Sequence, residues 1–261
     1  MSLGQMLLLN TPPLILCFLM MVIAAILSIA GTLVFHRFVP QRSLKVHNDI
    51  TGPIYSTLGV IYAVLLGFVV VIVWQDFNRA KLNVEMEVNC LANLYIDSEP
   101  FEQIFKQKVH SGIGIYTKAV IDEWDVLARG GYNLKAQKAI EQLIILYSSY
   151  SPQNETEKVF FAKSIDQVNE LFSLRMLRLM DTNTGIHFLL WFVLITGGVI
   201  TIVFTIFFGT ESLSAKIIMS TLLAMLIVLV LFTILEFSFP FTGSAKVPCE
   251  SFKQLLVRLG L

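Results

Sequence analysis

The chain has few charged side chains for its length, and this shortage limits the kinds of protein that it can be. Only 15% of its 261 residues are charged, whereas soluble proteins carry about 25%. Hydrophobic residues make up 55% of the chain. This composition excludes an ordinary soluble domain with a charged surface and is typical of an integral membrane protein.

Clustered basic residues and closely spaced cysteines are also missing. Lysine and arginine together number 19, equal to the acidic residues, and they form no patch of the kind that neutralises nucleic acid phosphates. The three cysteines are far apart, so they indicate neither a disulfide framework nor a Cys-x-x-Cys metal site. The four histidines are scattered, and no nucleophile lies near a base. We therefore expect no catalytic residue, metal site, cofactor or nucleic acid partner.

The charges that are present are concentrated in one segment. Between Gln75 and Gly185 lie 15 of the 19 acidic and 12 of the 19 basic residues. The sequence on both sides is apolar over stretches of at least 20 residues, the length that a helix needs to cross a bilayer. The first stretch exceeds the core of a signal peptide and has no basic residue before it, so we interpret it as a permanent span. The four predicted spans are residues 13–35, 54–74, 186–208 and 217–239.

Four spans place both termini and the polar segment on the same side of the membrane. Near the span ends, that side carries seven basic residues. The opposite side carries four, and this bias favours a cytoplasmic polar segment and cytoplasmic termini in the plasma (cell inner) membrane. The four bases on the opposite side are Arg37, Arg42, Lys45 and Lys216. The predicted domains are a first transmembrane hairpin (1–74), a helical cytoplasmic domain (75–185), a second transmembrane hairpin (186–241) and a C-terminal tail (242–261).

Apolar residues in the cytoplasmic domain recur at steps of three and four, which predicts helices. One helix runs from about Phe101 to Leu127 and ends before Gly130-Gly131. Asn133 can cap a second helix, and Ser151-Pro152 a third. The expected buried face of the third helix consists of Phe161, Ile165, Val168, Phe172 and Leu179. The predicted fold class is all-α, with four transmembrane helices and a helical cytoplasmic domain inserted between spans two and three.

Small residues recur at steps of four in the second predicted span, at Gly59, Ala63 and Gly67. Glycine costs a helix about 1 kcal/mol relative to alanine, so its repeated use needs a reason. Apolar side chains gain nothing by burial against each other inside a bilayer, and small residues let two helices approach closely instead. The stripe thus predicts helix packing, either between copies of the chain or against the first or fourth span of the same chain.

A bulky apolar row, formed by Val60, Val64 and Phe68, runs beside this stripe. If copies of the helix form a ring through their small-residue stripes, this row faces the ring axis. It would then form a hydrophobic constriction of the kind that controls ion flow by dewetting.

Glu236 and the acidic residues around Trp124 are weaker candidates for a functional role. Glu236 is the one acid inside a predicted span, and intramembrane acids are often functional. A hydrated carboxylate at the membrane interface and an ion pair with Arg79 or Arg178 are both compatible with its position. The acids around Trp124, Glu123 among them, indicate an exposed and solvated helix end, with a cation site at a cytoplasmic mouth as the alternative.

Four further segments stand out between His47 and the end of the chain: "HNDITGPIYSTLGVIYAVLLGF", "VEMEVNCLANLY", "LRMLRL…GIHFLLWFVLITGG" and "FPFTGSAKVPCESFKQLL". Together they resemble a family of four-span, bestrophin-like membrane proteins whose function is largely undefined. The stretch "LLGFVVVIVWQDFNRAK" is also similar to the pore helix of the bestrophins.

The resemblance implies a homo-oligomer, a pentamer in bestrophins, around a central pore for anions such as chloride. Carried over to this chain, it makes Val60, Val64 and Phe68 the pore neck, although the two valines are smaller than the usual neck residues. It places an aromatic and basic cluster at the cytoplasmic end of the pore helix, with Asp76 where a base is expected. The corresponding residues here are Trp74, Asp76, Phe77, Arg79 and Lys81.

Two functions therefore remain open. The first is a homo-oligomeric channel whose partners are the lipid bilayer, other copies of the chain and inorganic ions, anions in particular. The second is a non-conducting membrane scaffold or sensor that binds a cytoplasmic partner through its helical domain. The sequence offers no motif for an enzyme, so we expect none.

Overall fold

The structure is a computed structural model that describes residues 3–38, 48–182, 185–207 and 212–261. Within these ranges the chain forms nine helices and no strand, which confirms the predicted all-α class. The helices are α1 (Leu3–Asn10), α2 (Pro13–Phe38), α3 (Asn48–Asp97), α4 (Gln103–Leu127), α5 (Leu134–Ser148), α6 (Glu155–Asp181), α7 (Phe188–Ile206), α8 (Leu213–Phe237) and α9 (Glu250–Leu259).

Four of these helices, α2, α3, α7 and α8, are long and apolar enough to cross a membrane. The chain divides into two compact units. We call residues 6–75 and 185–238 the span unit, and residues 1–5, 76–184 and 239–261 the polar unit. Helix α3 is 50 residues long and contributes to both units, because it continues beyond the apolar stretch of the second span.

The span unit is held together by α2 packed along α8 and by a core that α3 shares with α7 and α8. The hydroxyl of Tyr62 on α3 donates a hydrogen bond to the carbonyl oxygen of Leu194 on α7, at 2.9 Å. The ring of Tyr62 lies against Gly197, where an added Cβ would stand 2.8 Å from two ring atoms. A glycine is therefore needed on α7 for this close approach of the two helices. The residues of this core are Tyr62, Leu66, Val69, Val73, Leu194, Ile227 and Ile234.

The polar unit has its own core, to which α3, α4, α5, α6 and α9 contribute. The three-and-four pattern predicted for α4 is confirmed along most of the helix. Its buried side chains include Phe105, Val109, Ile113, Tyr116, Val120, Trp124 and Leu127.

The predicted helix boundaries in this unit are partly correct. Helix α4 ends at Leu127, before Gly130, which has a positive φ of 73°. Asn133 caps α5 by accepting a hydrogen bond from the backbone N–H of Lys135, at 2.9 Å. The start of α6 at Ser151 is wrong, because Asn154 is the capping residue. Its side-chain oxygen accepts from the N–H of Glu157, at 2.9 Å.

The predicted buried face of α6 is partly correct. Val168 is buried, and Phe161, Ile165, Phe172 and Leu179 are partly buried and pack against the core. The most buried row of the helix also includes two arginines that were not expected in the core. This row consists of Ser164, Val168, Leu171, Arg175 and Arg178.

Two short helices were not predicted. Helix α1 has eight residues and α9 has ten, and segments of this length give too few repeats for a periodicity to be recognised. Helix α9 nevertheless buries Phe252 and Leu255 in the polar unit. Of the bases assigned to the opposite side of the membrane, Arg42 and Lys45 lie outside the described residues.

Candidate functional site

The bulky apolar row of α3 is exposed in the single chain. Val60, Val64 and Phe68 are 63%, 51% and 66% exposed, respectively. With 3.6 residues per turn, the row lies on the side of α3 roughly opposite to the face that begins at Tyr62 and packs into the span unit. Packing within the chain therefore covers one face of this helix and leaves the candidate neck residues exposed on the opposite face.

The small-residue stripe lies on one flank of α3, between the packed face and the apolar row. A Cβ atom built at Gly59 or Gly67 would meet nothing within 4 Å, and Ala63 is exposed. Within the part of the chain that the structure describes, neither the first nor the fourth span packs on the stripe. Its small side chains thus leave open a flank at which another helix can approach closely.

The opposite flank of α3 carries an apolar cleft shared with α7. Its volume is about 610 Å³, and it is open on the outer side. The two flanks of α3 therefore differ in shape, one narrow and glycine-lined, the other concave. The cleft is lined mainly by Ile54, Leu58, Ile61, Leu65, Val193, Gly197 and Ile200.

At the start of the polar unit, Asp76 of α3 forms a salt bridge with Arg79. The guanidinium Nη2 of Arg79 donates to Oδ1 of Asp76 at 2.8 Å. Phe77 packs against the core of the polar unit, and Lys81 is exposed. Asp76, which stands where the resemblance calls for a base, thus has its negative charge offset by Arg79.

Two further candidate residues, Trp74 and Glu236, belong to the span unit, as does the base Lys216. The ring of Trp74 is 48% exposed and meets the ring of Phe237 edge-on, with centroids 5.0 Å apart. Glu236 is only 5% exposed in the single chain. Lys216 is 3% exposed, and its ammonium lies 5.5 Å from the centroid of the Phe35 ring.

The sequence analysis missed a network of buried charges in the polar unit. Arg178 donates from Nε to Oε2 of Glu87 at 2.7 Å and from Nη1 to Oε2 of Glu123 at 3.3 Å. Arg175 donates to both carboxylate oxygens of Glu123, at 2.8 and 3.0 Å. Tyr116 donates to Oε1 of Glu87 at 2.5 Å. All five side chains are fully buried, and the two acids balance the two bases.

The pKa shifts in this network follow from burial and pairing. Burial acts to raise the pKa of Glu123, but hydrogen bonds from Arg175 and from the Asn133 backbone hold that pKa below its ordinary value. Burial and the neighbouring Glu87 carboxylate raise the pKa of Tyr116 well above its ordinary value. Glu123 therefore stays ionised and the Tyr116 phenol stays protonated, which suits a permanent structural network.

The network corrects two expectations. Glu123 and Trp124 are buried, so the predicted solvated helix end is wrong for both, although Asp122 and Asp125 are exposed. Arg178, one of two bases proposed as partners for Glu236, binds Glu87 and Glu123 instead.

One signal in the sequence could have found this network. Arg175 and Arg178 continue the steps of three and four that begin at Val168 and Leu171. A charged residue at a core position of a helical pattern requires a buried partner of opposite charge.

The fold and the exposed face of α3 define a four-span, all-helical membrane protein with a helical polar unit. A sequence profile described as the Bestrophin-like domain matches residues 22–252. The chain therefore belongs to the Bestrophin-like family. Comparison with curated protein sequences gives no significant match.

Solved structures of a bacterial bestrophin homologue from Klebsiella pneumoniae share this fold. One single-site variant superposes with a TM-score of 0.70 at 11% identity, covering 92% of this chain and 99% of that chain. A second variant gives a TM-score of 0.71 at 12% identity, with the same coverage. A structure phased with zinc gives 0.67 at 12% identity, covering 92% of this chain and 98% of that chain.

Proposed function

We propose that this protein is a homo-oligomeric ion channel in which α3 of each copy borders a shared pore. Val60, Val64 and Phe68 form the neck of that pore. The observation that carries the proposal is the exposure of this row on the side of α3 opposite to its packed face. Membership of the Bestrophin-like family supports it.

The unlike flanks of α3 support assembly into a ring. A closed ring of identical subunits uses head-to-tail contacts, in which one surface of a copy meets a different surface of the next. The stripe at Gly59 and Gly67 is open, and the cleft beside Ile61 is concave. Contact between the stripe of one copy and the cleft flank of the next turns the apolar row toward the axis.

The neck contains no charged or polar side chain, so it controls flow through its width and wetting. Anion selectivity and a ring of five copies follow from the resemblance to bestrophins. The proposed location is the plasma (cell inner) membrane, with the termini and the polar unit in the cytoplasm. The positive charges near the span ends support this orientation.

Flux measurements on proteoliposomes test the neck. Replacing Val64 and Phe68 by alanine widens the constriction and should raise chloride flux above that of the wild type. The matched control is Leu226→Ala on α8, which removes a side chain that is 58% exposed but lies outside the neck. Equal flux in the neck variant and the control, with both correctly assembled, would contradict the assignment.

The same preparation separates the channel from the alternative function. A scaffold or sensor should show no conductance in planar bilayers and should retain a cytoplasmic partner in stoichiometric amount. A reversal potential that follows the chloride gradient supports an anion channel, and one that follows the sodium gradient contradicts anion selectivity.

A further inference from the structure

An apolar groove lies between three helices of the span unit. Helices α2 and α7 both pack on α8 but make few contacts with each other. The groove between them has a volume of about 310 Å³ and is partly open to the outside. Small residues leave this space, among them Gly31 on α2, Gly198 on α7 and Ala224 on α8, and the lining is apolar except for Ser28. Binding sites for small ligands usually have volumes of about 300–1,000 Å³.

The length of the groove corresponds to one leaflet of a bilayer. On α7 the lining residues extend from Ile195 to Ile206, the last residue of that helix. At a rise of 1.5 Å per residue this stretch is about 16 Å long, roughly half of the 30 Å hydrocarbon core. The groove therefore extends from the end of the spans toward the middle of the membrane.

A buried ammonium lies beyond the end of the groove that is nearer the membrane surface. Lys216 belongs to the first turn of α8 and is 3% exposed, and its Nζ has no hydrogen-bond partner among the described residues. Nζ lies 5.5 Å from the centroid of the Phe35 ring, which meets the Phe207 ring edge-on at 5.2 Å. Phe35 is about one turn beyond the lining residue Gly31, and Phe207 directly follows Ile206. The ammonium thus lies about one helical turn from the groove.

The charge of Lys216 selects the ligand. An ammonium removed from water needs a negative partner, and contact with one aromatic ring replaces only part of its hydration. The neighbouring hydroxyls of Thr32 and Ser220 hydrogen-bond to each other at 3.1 Å. Because Lys216 lies at the end of a span, its long side chain can extend to the level of the lipid headgroups. The groove accepts an acyl chain, and the ammonium accepts a negative headgroup.

We propose that an anionic phospholipid binds the span unit, with one acyl chain in the groove between α2, α7 and α8 and its headgroup paired with Lys216. This inference does not rest on the channel function. The bound chain fills the gap between α2 and α7, and the headgroup supplies the charge that Lys216 lacks within the described residues.

Native mass spectrometry of the full chain released from detergent micelles tests the headgroup contact. The probes are phosphatidylglycerol and phosphatidylcholine with identical acyl chains. The wild type should retain phosphatidylglycerol at a several-fold lower lipid concentration than phosphatidylcholine. Lys216→Met should abolish this difference, because it removes the charge and keeps the length of the side chain. The matched control is Arg37→Met, which removes an exposed base from the last turn of α2 and should keep the preference.

A larger side chain in the groove tests the acyl chain contact. A Cβ at Gly31 would meet only Cδ1 of Ile206, at 4.0 Å, so a leucine there can enter the groove without striking the backbone. Gly31→Leu should lower the retention of both lipids. Ala30→Leu places the same side chain at the neighbouring exposed position, outside the groove, and should retain both lipids as the wild type does.

Thermal unfolding separates a lipid site from a lysine that only supports the fold. In detergent without lipid, Lys216→Met should unfold at a higher temperature than the wild type, because it removes an unpaired buried charge. Added phosphatidylglycerol should raise the midpoint of the wild type more than that of Lys216→Met. Inorganic phosphate at the same concentration should leave the midpoint of the wild type unchanged.

Several results overturn the proposal. They are equal retention of the two lipids by the wild type, a preference for phosphatidylglycerol that persists in Lys216→Met, and unchanged retention by Gly31→Leu. Inorganic phosphate that stabilises as strongly as phosphatidylglycerol would indicate a site for a free anion instead. Loss of subunits in Gly31→Leu would indicate that a second copy of the chain occupies the groove.

Discussion

At the scale of single residues, the polar unit buries a network of paired charges. Arg178 has no exposed surface and binds two carboxylates, while its guanidinium carbon lies 5.6 Å from the centroid of the Trp124 ring. The indole N–H of Trp124 donates to the carbonyl of Val247, at 3.1 Å. Removing one member of such a network leaves an uncompensated charge in a dry environment.

We predict that Arg178→Met lowers the free energy of unfolding by about 3–5 kcal/mol, the usual cost of breaking a buried ion pair. The matched control is Arg129→Met, because Arg129 is exposed and surface changes usually stay within about 0.5 kcal/mol. Denaturant unfolding of the purified protein measures both. A loss no larger than that of the control would show that the network contributes little.

His110 gives the polar unit a dependence on pH. Its Nε2 lies 2.8 Å from the Ser98 hydroxyl, and its ring stacks on Tyr95 with centroids 3.7 Å apart. Burial lowers the pKa of His110 below its ordinary value of 6.5. The unfolded chain then binds this proton at a higher pH than the folded chain, so stability falls as the pH drops below about 6.5.

We predict that the unfolding midpoint of the wild type decreases between pH 7 and pH 5, and that His110→Gln flattens this decrease. His187→Gln serves as the control, since His187 lies at the start of α7 in the span unit. Equal slopes in all three proteins would exclude His110 as the titrating group.

At the scale of helices, the glycines of α7 and those of α3 differ in what packs against them. Tyr62 fills the space that Gly197 and Gly198 leave on α7, where a Cβ would meet its ring or hydroxyl at 2.8–2.9 Å. The hydrogen bond from its hydroxyl to Leu194 keeps the ring from moving aside. Gly197 and Gly198 on α7 thus pack against Tyr62 of the same chain, whereas a Cβ at Gly59 on α3 would meet nothing within 4 Å.

We predict that Gly197→Ala destabilises the span unit by about 1–3 kcal/mol through overpacking against Tyr62. Gly59→Ala, the matched control, should leave the stability of the isolated chain unchanged or slightly higher, because alanine favours a helix. Thermal unfolding in mild detergent compares the two. A stable Gly197→Ala protein would show that the α3–α7 contact is looser than described.

Most of the described helices could be predicted from the sequence, whereas the short α1 and α9 and the buried charges could not. Apolar stretches and steps of three and four are enough to predict α3 and α4. They also predict α6 as a helix, but they miss its buried Arg175 and Arg178, because these core positions become favourable only with Glu87 and Glu123 from other helices. The exposure of Val60, Val64 and Phe68 could not be predicted either, because periodicity shows which residues share a face but not what covers it.

At the scale of the whole molecule, the proposed ring requires contacts between copies at positions that the single chain leaves open. We predict that Gly67→Leu dissociates the oligomer without unfolding the chain, because nothing in the described residues lies within 4 Å of its added Cβ. Ala30→Leu on α2 places the same leucine side chain at another exposed position and should leave the oligomer intact. Native mass spectrometry measures subunit number in both. An oligomer unaffected by Gly67→Leu would place the subunit contact elsewhere.

Electron cryo-microscopy of the full chain in lipid nanodiscs decides the pore assignment. We expect a closed ring, with five-fold symmetry if the bestrophin resemblance extends to assembly, and with Val60, Val64 and Phe68 of every copy bordering the axis. Particles that contain a single copy, or a ring in which these three side chains face lipid, would contradict the channel and leave the four-span fold as the established result.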